Sequence, residues 1–458
     1  MNHTSLDQTL QSLASIRDLS PEAAAAALAR VLLEAANRLQ TPAEREQQEE
    51  LERMMQHPED KTTLMQITDQ AFRTHDNRRS VEQLTHILDV QGVPRFFGWF
   101  DRALLRGFKS FGGYLPNVAA PIVKEKMREE TATVILPAER ELLEAHLKAR
   151  RDEGLRMNVN FLGEALLGEE EAMHRLEKYL EALQRPEIEV VSVKISTLYP
   201  QISPIGREHT IQVLCDRFER LVRAAAKERF TRADGTTAHK FVYLDMEEYR
   251  DMSLTTEVFL RTLDRRGLEH ATAGIALQAH IPDSFPTHPR ITEWAVQRVA
   301  KGGAPVIVRI VKGANMESER VEASIMGWPQ APYKTKPETD ANYKRMLAYA
   351  MEPAHLAAVR VGIASHNLFD LSLGLVLAAR GNAGDRVQFE MLEGMANHQR
   401  RALFEICRNV LLYAPATPKE GFLNAIGYLI RRLDENTGED NSLRHAFRLS
   451  PGSPEWQR

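Results

Sequence analysis

Eight short apolar, β-branched runs recur through the last two thirds of this 458-residue chain, with a longer amphipathic stretch between successive ones. They lie at 157–162, 190–196, 241–246, 274–280, 305–313, 359–366, 387–392 and 410–415. An unbroken apolar run of that length fits a strand buried on both faces, and the helical stretches fit the crossovers that parallel strands require. Eight such units predict α/β architecture closed into a (β/α)8 TIM-type barrel. The doubly wound alternative lacks its signature, because no G-x-G-x-x-G occurs; Walker A and HExxH motifs are also missing.

A barrel makes a demand on the rest of the sequence: functional groups should gather at the C-terminal ends of its strands. Lys194, Asp245, Gln278, Arg309, Lys312, His366, Asn367, Glu390 and Tyr413 all stand at or just past the end of a run. Each would need a partner if it were merely buried, so that many polar groups on one rim point to a polar ligand. No Asp, Glu or His cluster is tight enough to predict a metal.

Ahead of the barrel, residues 1–150 read as helical, with a helical arm over 1–60 and a helical domain over 61–150; the barrel takes 151–445, and 446–458 is a linker or tail. Pro21 follows Ser20, a good N-cap, and opens an alanine-rich helix. A formal charge of −4 gives no electrostatic case for nucleic acid. Two cysteines, Cys215 and Cys407, form no CxxC, which suits a reducing compartment. There is no signal-peptide pattern, and the apolar runs are too short to span a bilayer. The chain therefore reads as cytoplasmic, with at most peripheral contact at the inner face of a bacterial membrane.

Near the C-terminus, Tyr428, Arg431, Arg432 and Glu435 are spaced so that one helical face carries all four. Adjacent guanidiniums offer a multidentate grip on a carboxylate, although a solvated face of charge pairs has the same spacing.

In chain order, Val193-Lys194-Ile-Ser196, Leu244-Asp245-Met246-Glu247, Leu277-Gln278-Ala279, Val308-Arg309-Ile-Val-Lys312-Gly313-Ala314, Ser365-His366-Asn367 and Tyr413-Ala-Pro415, followed by the 428–436 stretch, resemble the proline dehydrogenase family. The likeness runs from about residue 60 to 445 and is strongest to the dehydrogenase half of bacterial proline utilization A proteins. It implies a distorted barrel that holds FAD and oxidises L-proline to Δ1-pyrroline-5-carboxylate, the first step of proline catabolism to glutamate. Hydride would pass to flavin N5 and electrons onward to a membrane quinone.

Carried over by position, Arg431 and Arg432 would clamp the proline carboxylate, Tyr413, Tyr428 and Leu392 would wall its ring, and Lys194 and Asp245 would pair near the amine. Asp245, Arg309 and Lys194 are the expected catalytic groups, with Asp245 the candidate to tune or accept the amine proton. The cofactor set is Met246, Gln278, Arg309, Val311, Lys312, Gly313, Ala314, Lys336, Thr339, Ala364, His366, Asn367, Glu390, Leu392 and Glu435. In this set Gly313 and Ala314 would let backbone approach the ligand.

Two departures stand out. Asn315-Met316 occupy a place where relatives often carry Tyr-Trp, and Glu390 stands where glutamine is common, which leaves either a different contact or a protonated carboxyl. A pyrroline-5-carboxylate dehydrogenase partner, fused or separate, is also implied. The Pro/Ser-rich end favours a fragment of a bifunctional protein over a stand-alone enzyme. Competing readings are a flavin enzyme for hydroxyproline or another cyclic imino acid, which the bulk of Tyr413 disfavours, and a non-catalytic barrel. If the clamp is right, Arg431→Met raises the KM for proline by orders of magnitude while FAD stays bound; steady-state kinetics with an unchanged KM would remove the assignment.

Overall fold

The computed structural model describes residues 18–71, 74, 76–94, 117, 120–122, 124, 125, 128, 132, 134–163, 168–246, 248–422, 425, 427, 428 and 449–457. Contacts divide the chain into two units, one built from 1–36 and 140–416 and the other from 37–139 and 417–458, counting only described residues.

The first unit is the barrel. Its strands are β1 (Arg156–Phe161), β2 (Val190–Lys194), β3 (Phe241–Asp245), β4 (Gly274–Gln278), β5 (Val306–Val311), β6 (Val359–Ala364), β7 (Val387–Leu392) and β8 (Val410–Thr417). Successive strands pair in parallel, and the ring closes where β8 pairs with β1, Leu411 opposite Arg156 and Pro415 opposite Asn160. The eight expected runs are these eight strands. Closure leaves no sheet edge exposed, which explains why the runs carry no edge-protecting charge.

The main helices are α1 (Pro21–Leu39), α2 (Pro42–Gln56), α3 (Pro58–Gln66), α4 (Asn77–Gln91), α5 (Arg140–Asp152), α6 (Glu169–Gln184), α7 (Arg207–Lys227), α8 (Tyr249–Leu263), α9 (Ser284–Ala300), α10 (Met316–Met326), α11 (Lys336–Ala350), α12 (Leu368–Arg380) and α13 (Asn397–Ile406). From α6 onward they are the crossovers, with α10 and α11 sharing the β5–β6 connection. Their starts follow local chemistry. Ser20 Oγ accepts the Ala23 amide ahead of α1, Thr335 and Glu338 form a reciprocal capping box on α11, and Asn367 caps α12 through Phe369 N at 2.8 Å. Helix α1 buries Ala25, Leu28, Ala29, Leu32, Leu33 and Ala36, a single apolar stripe. In the second unit, Asp76 accepts the Arg78 and Arg79 amides to start α4, which stops at Gly92 with φ +85°. Among the described residues no helix is long and apolar enough to cross a membrane.

Inside the barrel, Val190, Phe241, Tyr243, Ile307 and Leu411 form a buried cluster. The Tyr243 ring lies across β4 so closely that a Cβ on Gly274 would fall 2.2 Å from two of its carbons. Because that ring is fully buried, it cannot swing aside. Gly274→Ala should therefore cost about 1–3 kcal/mol, as overpacking does, lowering the urea midpoint with little change in m-value.

Candidate active site

Placing a charge inside a barrel requires a counter-charge and full hydrogen bonding. Arg309, on β5, meets both needs. Its Nη1 donates to Asp245 Oδ1 at 2.8 Å from β3, and its Nε donates to Glu390 Oε2 at 2.5 Å from β7. The guanidinium carbon sits 3.8 Å from the Tyr243 ring centroid and 5.3 Å from that of Tyr413. Burial opposes the Arg309 charge, but Glu390 and Asp245 outweigh it and hold its pKa above the ordinary value. Only Nη2 is buried without an acceptor among the described residues.

Asp245 is the second hub. Besides Arg309, its Oδ1 accepts Ser192 Oγ at 3.2 Å, and its Oδ2 accepts the Tyr413 hydroxyl at 3.0 Å. Lys194 stands opposite it in the β2–β3 register. Burial pushes the Asp245 carboxyl above the usual aspartate range, against the pull of Arg309, Tyr413, Lys194 and Ser192. A carboxylate so raised lies closer to the range where a side chain can exchange a proton.

Beneath Arg309, Glu390 Oε1 accepts the Tyr243 hydroxyl at 2.6 Å and Gln388 Nε2 at 2.7 Å. Gln388 Oε1 in turn accepts Arg156 Nη1 at 2.9 Å, and Arg156 pairs with Glu189 at 2.9 Å. On the other side Asn158 donates to Ser192 Oγ at 3.0 Å. Tyr243, Gln388, Ser192, Asn158 and Arg156 are absent from the expected site. Their signal was available: polar residues inside otherwise apolar parallel strands, alternating with apolar ones, mark an inward face.

Other expected residues surround this centre. Gln278 Nε2 donates to the Met246 carbonyl at 3.2 Å, and both residues are buried. Ala364 accepts the Tyr343 hydroxyl at 3.1 Å. The Leu392 amide donates to His366 Nε2 at 3.0 Å, which leaves the ring proton of a neutral imidazole on Nδ1. Val311 ends β5 opposite Gln278. Lys312 Nζ lies between Asp340 at 2.6 Å and Asp370 at 2.7 Å, while Lys336 also pairs with Asp340 at 2.8 Å. Burial works against the Lys312 charge, yet the two aspartates raise its pKa. Two lysines and two aspartates leave this corner with no net formal charge. Thr339 is buried beside it at the start of α11.

Gly313 has φ +112°, and a Cβ there would fall 1.7 Å from His280 Nδ1. His280, in the same unit, leaves no room for a side chain at this position; Ala314 follows the glycine, half-buried. Tyr428 is buried and helical in the second unit. Arg431, Arg432 and Glu435 lie outside the described residues. Among the described residues no group of His, Cys, Asp or Glu could hold a metal ion.

The model of the family described as proline dehydrogenase matches residues 143–445. Proline dehydrogenase 2 of Bacillus subtilis is 23% identical over 291 residues, covering 63% of this chain and 80% of that protein. The solved proline utilization A of Corynebacterium freiburgense is 37% identical with a TM-score of 0.63, covering 75% of this chain and 35% of that one. That of Bdellovibrio bacteriovorus is 25% identical with a TM-score of 0.76, covering 96% and 44%. This chain thus spans less than half the length of either solved protein.

The ionic centre carries a stability consequence. Arg309→Met strips the buried Asp245 and Glu390 carboxyls of the arginine they share, at a cost of about 3–5 kcal/mol. It also removes the attraction that opposes burial at Asp245, so protonation relieves part of the loss. Urea unfolding should show a larger deficit at mildly alkaline than at mildly acidic pH; a deficit that grows toward acid would contradict the assignment.

Proposed function

The chain belongs to the proline dehydrogenase family, and from that premise we propose that it oxidises L-proline to Δ1-pyrroline-5-carboxylate with FAD, passing the electrons to a quinone. The observation that carries the reading is the Asp245–Arg309–Tyr413 constellation contributed by β3, β5 and β8, with its two ions buried and Tyr413 half-buried. On this reading 151–445 is the FAD-binding barrel, 1–60 a helical arm, 61–150 a helical domain and 446–458 a linker or tail. The protein works in the cytoplasm, peripherally at the inner face of the membrane, and a second dehydrogenase, fused or separate, consumes the product.

The donor chemistry fits a flavin. Arg309 Nη2 is a buried cationic donor with no acceptor among the described residues, and an unprotonated ring nitrogen of the flavin would supply one. Met246, Gln278, Val311, Gly313, Ala314, Ala364, His366, Asn367 and Leu392 would line that cofactor, with Glu435 reaching its ribose. Lys312, Lys336 and Thr339 would stand at its phosphate–ribityl portion; the lysines already carry aspartate partners, so their role there is shape and hydrogen bonding rather than net charge. When bound, the flavin supplies the hydride acceptor at N5.

The chain's own groups do the rest. Arg431 and Arg432 clamp the substrate carboxylate, while Tyr413, Tyr428 and Leu392 wall the ring, which is catalysis by orientation. Proline's secondary ammonium must lose a proton before hydride leaves the adjacent carbon, because only a free nitrogen lone pair can form the imine. Asp245, raised by burial, tunes or accepts that proton, and Lys194 steadies its charge. Arg309 stabilises the negative charge that arrives on the cofactor.

An anaerobic visible spectrum before and after L-proline tests the whole reading. The flavin band is expected to bleach; an oxidised band that persists would sink proline as substrate, and no flavin after reconstitution would sink the cofactor. Asp245→Asn is expected to keep FAD and slow its reduction by roughly 10²–10⁴-fold, the usual worth of a general acid–base group, read by stopped-flow.

A further inference from the structure

Glu390 is not needed to neutralise Arg309, since Asp245 already supplies one carboxylate. Its protonation state follows from the donors around it. Arg156 Nη1 donates to Gln388 Oε1 at 2.9 Å, and an arginine can only donate, so the amide oxygen faces Arg156. The Gln388 NH2 must then face the other way, toward Tyr243 Oη at 2.8 Å and Glu390 Oε1 at 2.7 Å. Tyr243 Oη accepts from Gln388, so its own proton goes to Glu390 Oε1 at 2.6 Å. Glu390 Oε2 receives Arg309 Nε at 2.5 Å. Three donors, Arg309 Nε, Tyr243 Oη and Gln388 Nε2, thus converge on the Glu390 carboxyl, the arrangement that stabilises a negative charge there.

The space for this arrangement is built in. A Cβ on Gly362 would fall 2.3 Å from Glu390 Oε1, and Gly362 stands opposite Arg309 in the β5–β6 register. One guanidinium is thus held between two carboxyl groups, with Lys194 adding a cation on the Asp245 side and Arg156, itself paired with Glu189, standing beyond Gln388 on the Glu390 side.

We propose that Glu390 is a redox-tuning residue that acts through Arg309: its charge cancels part of the guanidinium's field and lowers the two-electron reduction potential of the flavin. This rests on the reading above that FAD binds against Arg309. Reduction adds negative charge to the ring, so a carboxylate held on the neighbouring cation disfavours it. Glu390 touches neither substrate nor cofactor on this account.

The test is the potential of the FAD-loaded protein, measured anaerobically by equilibration with a dye of known potential. Glu390→Gln keeps the shape and removes one negative charge. It is expected to favour reduction at least tenfold, a rise of about 30 mV for a two-electron couple, with FAD affinity and melting temperature reported alongside. A change in the reduction equilibrium smaller than tenfold, with flavin bound, overturns the proposal. Should that variant not fold, Glu390→Met carries the test. It also removes the negative charge, so the potential should rise in the same direction, and an unchanged potential there overturns the proposal equally. If proline bleaches the parent flavin but Glu390→Gln leaves the potential alone, only this inference falls. If the parent binds no FAD, the functional reading falls and takes this inference with it.

Discussion

An arginine enclosed by a parallel barrel has nowhere to shed its charge, and the interior of this protein is arranged around that fact. Arg309 takes one carboxylate from β3 and one from β7, strands on different sides of β5, so the ion pairs tie together staves that do not neighbour each other. The pairs do not by themselves argue for stability, since well-packed apolar residues in the same space would often do as well. They argue for geometry: two bonds from fixed strands leave the guanidinium one orientation. Tyr243 closes it from below at 3.8 Å, and Gly274 and Gly362 provide the volume that its ring and the Glu390 carboxylate occupy.

The centre continues as an alternation of charge. From Asp245 through Arg309 to Glu390, then by way of Gln388 to Arg156 and Glu189, each ion meets its opposite or an amide between them. Such a column satisfies each buried donor locally, as low dielectric requires. It also runs from the C-terminal ends of the strands, where Asp245 and Tyr413 meet, to their N-terminal ends, where Arg156 opens β1. The rim chemistry therefore rests on groups that a description of the rim alone would omit.

Much of this was legible in the sequence. The strands were, because parallel strands buried on both faces announce themselves as β-branched runs; the run at 190–196 overshot β2 only because Ile195–Leu198 turn into a short helix. The rim residues were legible too, because strand ends are where a barrel puts its polar groups. What stayed hidden was partnership. Nothing near Lys312 in the chain announces Asp340 and Asp370, which arrive from α11 and α12 and balance its charge. The partners of Tyr243 and Gln388 could not be read either, since which residues meet across a barrel is decided by register and closure rather than by sequence spacing. Glu390 could be read as a rim carboxyl, but not the three donors that converge on it.

Gly313 illustrates how a glycine can answer to a neighbouring side chain. The space its missing side chain leaves is filled by the His280 ring, whose Nδ1 lies 3.1 Å from the Lys312 carbonyl in the neighbouring residue. Positions 280 and 313 therefore form one unit of inheritance. A lineage can enlarge the second only after shrinking or re-aiming the first, and a bulkier residue in place of the histidine would press on backbone that has no side chain to yield. Exchanges at either position alone should be rarer among descendants of this sequence than paired ones.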